Sequence, residues 1–422
     1  MRKKAIVCLA IICILLVFNL AYSYAAPIKE LQNEGTLRPG GAPDISAVSA
    51  VLADSERGQI LFEKKAQDKL HIAALCKLMT ILIAIESSDL SANITISKDS
   101  IDADGSALSL AAGEKYTLED LAYGIMLTSA NDAAVAVAEH VSGDIENFVK
   151  KMNETASKLS MKNTNFKNPT GLYDEQQYTT ANDIMLFINY AIKNPVFSRI
   201  FSTQVRPWNK HDGTTTMLTS QNKLFWSYDG VDGGKVSFNN KDQQTIIATA
   251  TKGNMKLVCI ILDSPEIKLF TDASNVLDYG FDKYKKSILV RKNDVLKKVD
   301  ISGNKIDLIC GDDVYYVHPT GENYIKQFTT TADIQQPISK SKIIGNARYV
   351  LNDNTIIDVG LYPASEIIPK QDLYTSIKTK IAENKDIFYL VVFLLAVEAI
   401  MILVNLIRLV NRLVKKAAPK NR

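Results

Sequence analysis

Apolar and polar positions along the first two thirds of the chain follow two repeating patterns. Ile72, Leu75, Leu78, Met79, Ile81 and Leu82 are spaced for a helix with one broad buried face, opening within His71–Thr80. Leu118, Leu121, Ile125 and Met126 repeat at the same period behind Thr117-Leu-Glu-Asp120, an N-terminal cap pattern. Two more helices are predicted over Asp132–Val141 and Asp144–Leu159, the second with Ile145, Phe148, Val149, Met152, Ala156 and Leu159 as its buried stripe. Another, over Thr180–Lys193, should turn Ile184, Leu186, Phe187 and Tyr190 inward. Strand patterns flank this helical stretch. Ser46–Ala53, the turn Asp54–Gly58 and Gln59–Phe62 read as one hairpin, and Ile246–Thr251, Lys252-Gly-Asn254 and Met255–Leu262 as another. Leu90–Gly113 keeps no period and reads as short elements. Strands at both ends with helices between them predict an α+β domain.

Beyond Tyr284 the texture changes to short β-prone runs, Ser287–Arg291, Asp312–Val317 and Lys342–Val350, punctuated by turns at Ser302–Asn304 and Asn352–Asn354. They predict a separate small β domain over 285–369, followed by a linker over 370–386. Ile387–Val404 is an apolar run of eighteen residues broken only by Glu398, near the lower end of what spans a bilayer. A transmembrane helix is expected over 387–407. The tail, 408–422, carries Arg408, Arg412, Lys415, Lys416, Lys420 and Arg422, which places it in the cytoplasm by the positive-inside rule. A carboxylate within the membrane is costly, so Glu398 should have a partner, either another copy of the helix or another membrane protein. At the other end, Arg2-Lys-Lys4, the apolar run Ala5–Leu20 and Ala21–Ala26 have the layout of a secretory signal peptide over 1–26, with an uncleaved anchor as the alternative. Either one exports the chain. Residues 27–44 read as a flexible lead-in.

With 422 residues, 46% of them hydrophobic and 23% charged, the chain can build two domains with a sizeable core. A net charge of +3 and the lack of an arginine-rich stripe interleaved with aromatics argue against a nucleic-acid partner. Cys8 and Cys13 fall in the signal segment, and Cys76, Cys259 and Cys310 are scattered. The four histidines are equally dispersed, so neither a disulfide framework nor a metal site or cofactor is expected.

Lys77 is out of place inside an apolar helix start, because burying an ammonium costs several kcal/mol unless polar groups surround it. It is either a snorkelling side chain on a half-exposed helix or part of a functional network. Two other segments bear on that choice. Thr128-Ser-Ala-Asn-Asp132 follows an amphipathic helix, and Gly230-Val-Asp-Gly-Gly-Lys-Val-Ser237 opens a strand-rich stretch. In this order the three segments resemble the Ser-x-x-Lys, Ser-x-Asn and Lys-Thr-Gly motifs of penicillin-recognising serine enzymes. Lys77-Leu-Met-Thr80 and Asn168-Pro-Thr-Gly-Leu172 narrow the resemblance to the D-alanyl-D-alanine carboxypeptidase family, peptidase S11, over about Ile45–Tyr284. The resemblance implies a β-lactamase/transpeptidase-like domain over 45–284, an antiparallel sheet with a helical cluster, and a small all-β spacer behind it. It also implies roles: Lys77 and Ser129 moving protons, Asn131 in the cleft, and Lys235 holding the substrate carboxylate.

The match departs from the family at two motifs. Ala74 stands three residues before Lys77, where the family has its nucleophilic serine, and an alanine cannot form an acyl-enzyme ester. In place of Thr-Gly the chain has Val236-Ser237. Valine removes a hydroxyl expected to contact the substrate carboxylate, and Ser237 puts a side chain where glycine would let substrate approach the strand. Cys76 lies roughly 200° around a helix from position 74 and should face away from the cleft. Ser129 or Ser237, displaced from position 74, would lose near-attack geometry. Three readings follow. The first is an exported, membrane-tethered family member with hydrolysis lost or impaired, binding peptidoglycan stem peptides ending in D-Ala-D-Ala, or a cell-wall enzyme. The second is a working carboxypeptidase that removes the terminal D-alanine with an unconventional nucleophile. The third is a structural platform whose partner is bound through the β domain or the Glu398 helix.

Overall fold

Five strands form an antiparallel sheet in the order Ile60–Lys64, Ser49–Asp54, Met255–Pro265, Gln243–Lys252, Val231–Phe238. The two hairpins read from the sequence meet at its centre, with Val51 opposite Ile260 and Leu52 opposite Cys259. Both faces of the sheet are covered, which is why its inner strands are apolar at consecutive positions rather than alternate ones. Val51, Ala53, Val258, Ile260 and Leu262 face a cluster built from the helices Ala74–Ser87, Leu118–Thr128, Asn131–Ser142, Ile145–Lys158 and Ala181–Ala191. Leu52, Leu257, Cys259 and Ile261 face the other way, onto Leu269, Ala273, Val276 and Leu277 of the helix Leu269–Lys283. Gly280 lets that helix lie close: a Cβ there would come within 2.5 Å of Leu257 and 2.7 Å of Leu52.

The structure, a computed structural model, describes residues 41–71, 74–238, 243–301, 304–321, 323–333, 339–366, 378 and 380–417. The expected signal peptide, most of the lead-in, much of the linker and the end of the basic tail lie outside the described residues.

Thr117 caps its helix as its sequence suggests, accepting from the backbone N–H of Asp120, and Asp144 and Thr180 do the same for Asn147 and Asp183. One expected face needs correction. Along Ala181–Ala191 the buried residues include Ile184, Met185, Phe187, Ile188 and Ala191, whereas Leu186 and Tyr190 are 39% and 45% exposed. At 100° per residue, positions 184, 187, 188 and 191 form one stripe from which 186 and 190 both fall away. Tyr190 instead donates its hydroxyl to Glu86 at 2.9 Å.

The later β runs are strands. Tyr284–Val290 pairs with Val314–Pro319, and a five-stranded sheet runs in the order Val295–Ile301, Asn304–Cys310, Ile356–Pro363, Gly345–Leu351, Ile325–Ala332. The chain divides into two compact units, one holding residues 1–291, 312–329 and 348–358, the other 292–311, 330–347 and 359–422. Within the second lies the helix Lys385–Ala417. Among the described residues its Lys385–Arg412 portion is the one helical stretch long and apolar enough to cross a membrane, by length and composition.

Candidate active site

A cavity of about 190 Å³ lies between the helical cluster and the Val231–Phe238 strand, and Lys77, Ser129, Asn131 and Ser237 all reach its wall. Lys77 stands in the first turn of the helix that begins at Ala74. Its surroundings are set by a turn pinned to that helix: Thr80 Oγ1 donates to the carbonyl of Pro169 at 2.9 Å. Asn168 Oδ1 closes the turn by accepting from Thr170 Oγ1 at 3.0 Å and from Gly171 N–H at 2.7 Å, with Gly171 at φ 82°. So held, the turn aims the Thr170 carbonyl at Lys77 Nζ, which donates to it. The lysine is 8% exposed, and burial brings its pKa down to about 8.

Ser129 and Asn131 bracket a break between two helices. Leu118–Thr128 ends on Ser129 in the left-handed conformation (φ 59°, ψ 32°), which few non-glycine residues adopt. Asn131 then opens the next helix, one residue before the predicted start at Asp132. The break leaves the last carbonyls of the first helix without intrahelical donors, and Lys235 fills that need. Its Nζ donates to the Ile125 carbonyl at 3.0 Å, the Met126 carbonyl at 2.9 Å and Ser129 Oγ at 2.8 Å. An ammonium has three protons, so all are engaged. Burial, and next the charge of Lys77, hold the Lys235 pKa well below the usual lysine value. Because Ser129 Oγ accepts from Lys235, its own proton is free for a ligand.

Asn131 donates its side-chain N–H to the Asp104 carbonyl, and its backbone N–H bonds the Ser106 carbonyl at 2.7 Å. The next residue, Asp132, did not stand out in the sequence. Its buried carboxylate accepts from the backbone N–H of Leu108 (3.1 Å), Leu110 (3.2 Å) and Ala133 (2.8 Å). These bonds fasten the segment that brings Gly105 and Ser106 to the cavity wall. An acidic residue directly after the second motif, at a helix start, was the available signal.

Of the expected set, Lys77, Ser129, Asn131 and Ser237 line the cavity and Lys235 lies behind Ser129, but Val236 is turned away. Alternation along the strand puts Lys235 and Ser237 on the cavity side and turns Val236 to the opposite face. There it is 2% exposed and packs in the cluster that holds Leu224, Ile246 and Ile261. The loss of a carboxylate-contacting hydroxyl expected at 236 therefore has no counterpart in this geometry, and Ser237 alone alters the cleft wall. Cys76 is fully buried in the helical cluster, and burial pushes its thiol far above the usual range, so it is no nucleophile for this cavity.

Among the described residues no carboxylate lines the cavity, whose walls carry the Lys77 ammonium with Lys235 close beneath Ser129. Such a site favours an anionic group on its ligand. Among the described residues no group of three or more His, Cys, Asp or Glu could hold a metal ion.

The family model for D-alanyl-D-alanine carboxypeptidase matches residues 38–266, and that for the C-terminal domain of penicillin-binding protein 5 matches 284–380. The chain is 30% identical over 344 residues to the D-alanyl-D-alanine carboxypeptidase DacF of Bacillus subtilis, covering 79% of this chain and 88% of that protein. Penicillin-binding protein 5 of Haemophilus influenzae superposes with a TM-score of 0.65 at 25% identity, covering 78% of this chain and 99% of that one. A peptidoglycan synthesis regulatory factor (PBP3) of Streptococcus pneumoniae shares the fold, with a TM-score of 0.65 at 21% identity over 77% of this chain and 100% of its own. With its transpeptidase-like α+β domain and small β domain, the chain belongs to the D-alanyl-D-alanine carboxypeptidase family of penicillin-binding proteins, peptidase S11.

Proposed function

We propose that this chain is an exported, membrane-anchored family member whose hydrolytic activity is lost or severely impaired, and whose cleft binds peptidoglycan stem peptides ending in D-Ala-D-Ala. The observation that carries the reading is a mismatch between residue 74 and its surroundings. Lys77, Ser129, Asn131 and Lys235 stand in or beside one cavity, while the position at the head of the Lys77 helix is an alanine. Groups that move protons and attract a carboxylate are present, and the oxygen that would attack the peptide carbonyl is not. In serine hydrolases, loss of a catalytic residue leaves about 10³ to 10⁴ of rate over water, from binding and electrostatics. The C-terminal helix supports anchoring, with the globular part on the outer face and the basic tail in the cytoplasm.

Mass spectrometry of the detergent-solubilised full chain after incubation with excess penicillin tests the reading. No adduct and no D-alanine release from a synthetic pentapeptide are expected, alongside measurable binding of that peptide. A mass increase of one opened β-lactam on any cleft residue would overturn it in favour of an enzyme with an unconventional nucleophile.

A further inference from the structure

Four polar atoms with no hydrogen-bond partner among the described residues belong to residues lining the same cavity: His71 Nδ1 and Nε2, Asn131 Oδ1 and Gln221 Oε1. Asn131 belongs to the second motif, but His71 and Gln221 belong to none of the three. Burial lowers the His71 pKa below 6.5, so at neutral pH the ring is uncharged and carries one N–H donor and one lone pair. Both of its nitrogens are shielded from solvent and unmet. The Tyr173 ring stacks on the imidazole at 5.3 Å and 28°, which covers a ring face without occupying either nitrogen.

These atoms constrain the ligand. Three acceptors (one imidazole nitrogen, Asn131 Oδ1 and Gln221 Oε1) call for N–H or O–H donors, and the other imidazole nitrogen calls for an acceptor. A small inorganic anion offers only acceptors and would leave three of the four unmet. A peptide backbone alternates N–H and C=O groups and can meet all four. We propose that His71 is a ligand-contacting residue of this cleft, its imidazole exchanging hydrogen bonds with a backbone amide of the bound peptide while Tyr173 fixes the ring plane. The inference rests on the reading of the cleft as a stem-peptide site and adds a residue outside its motifs.

The test uses the full chain in detergent and a synthetic acylated peptide ending in D-Ala-D-Ala. The ¹⁵N resonances of the His71 ring, assigned by their loss in His71→Ala, should shift as the peptide is added and stay put when sulfate is added. His71→Ala should weaken binding roughly fivefold, the worth of one neutral hydrogen bond, and His71→Gln, which keeps a donor and an acceptor, should recover part of it. If the peptide binds wild type and His71→Ala equally and leaves the ring resonances unmoved, the inference is wrong and the stem-peptide reading stands. If the peptide does not bind wild type at all, that reading fails and this one falls with it. Should His71→Ala not fold, the ring resonances, then assigned through His71→Gln, decide the question on wild type alone.

Discussion

Replacing Lys77 with methionine should make the protein more stable at neutral pH. The lysine is nearly enclosed, and among the described residues its one hydrogen bond goes to the Thr170 carbonyl and no carboxylate lines its cavity. A fall in pKa from 10.5 to about 8 corresponds to about 3 kcal/mol of preference for the neutral amine in the folded state. The native chain releases this proton near pH 8, whereas the unfolded chain keeps it to about 10.5. Between those values the unfolded state binds the extra proton, so stability rises with pH across the window and carries the full penalty below it. Methionine removes the penalty but strands the Thr170 carbonyl, at about 1–2 kcal/mol. The net expectation for Lys77→Met is a gain of about 1–2 kcal/mol at pH 7 that vanishes and reverses as pH approaches 10. Urea unfolding of both proteins at a series of pH values measures it. Lys235 adds a slope of the same sign to both, smaller in Lys77→Met, where the Lys77 charge no longer lowers its pKa, so the difference between the two curves reports Lys77 together with its effect on Lys235. Parallel curves from pH 7 to 10 would show that Lys77 is not held in a desolvated state, and the electrostatic picture of the cleft would have to be abandoned.

Three further outcomes are expected. Val236→Thr should lower stability by about 1–3 kcal/mol, by burying a hydroxyl in an apolar cluster, and should leave peptide affinity unchanged; a gain in affinity would mean that position 236 reaches the cleft. Ala74→Ser alone should release little D-alanine from a pentapeptide, while Ala74→Ser combined with Ser237→Gly should exceed the sum of the two, because residues acting on one substrate are non-additive. Full activity from the single change would show Ser237 to be harmless. The protein should stay in the membrane through alkaline carbonate and need detergent to leave it, and Glu398→Leu should preserve anchoring while weakening any association made through that helix. Release by carbonate would place the helix at the surface.

The parts of the fold and site that were legible in the sequence are those governed by local period and by short motifs. The runs Ser46–Ala53 and Met255–Leu262 announce buried strands, and the cap pattern at Thr117 announces a helix start. What escaped depends on which neighbour covers a face. Leu269, Ala273, Val276, Leu277 and Gly280 repeat at helical spacing, but nothing local says that the sheet has a second face to be covered there. Leu186 reads as an inward residue because it is apolar, yet it lies nearly opposite the stripe through Ile184 and Ile188. The facing of Val236 follows from strand alternation next to Lys235, a feature that a position-by-position motif does not carry. The saturation of Lys235 by two helix-end carbonyls and Ser129, and the gathering of His71 and Gln221 at one cavity, are long-range facts that no spacing carries.

The same electrostatics separates a binding site from an idle platform. Two lysine side chains buried near each other, with no carboxylate among the described residues that line the cavity, are a burden on the fold, since apolar replacements of buried charges commonly gain about 1–4 kcal/mol. A ligand carboxylate entering the cavity would reverse the burden by restoring the charged form of Lys77, raising its pKa above 8. Binding at pH 8, where the free protein carries about half a proton on Lys77, should then draw protons from solution, up to about half per site, and affinity should fall as pH rises further. Calorimetric titration of a D-Ala-D-Ala peptide at pH 8, in two buffers with different heats of ionisation, reads this uptake directly. A peptide amidated at its C-terminus should bind more weakly and take up no protons. Binding heats that do not depend on the buffer for the free carboxylate would mean that the ligand's charge never meets Lys77, and the cleft would have to hold its peptide in some other orientation.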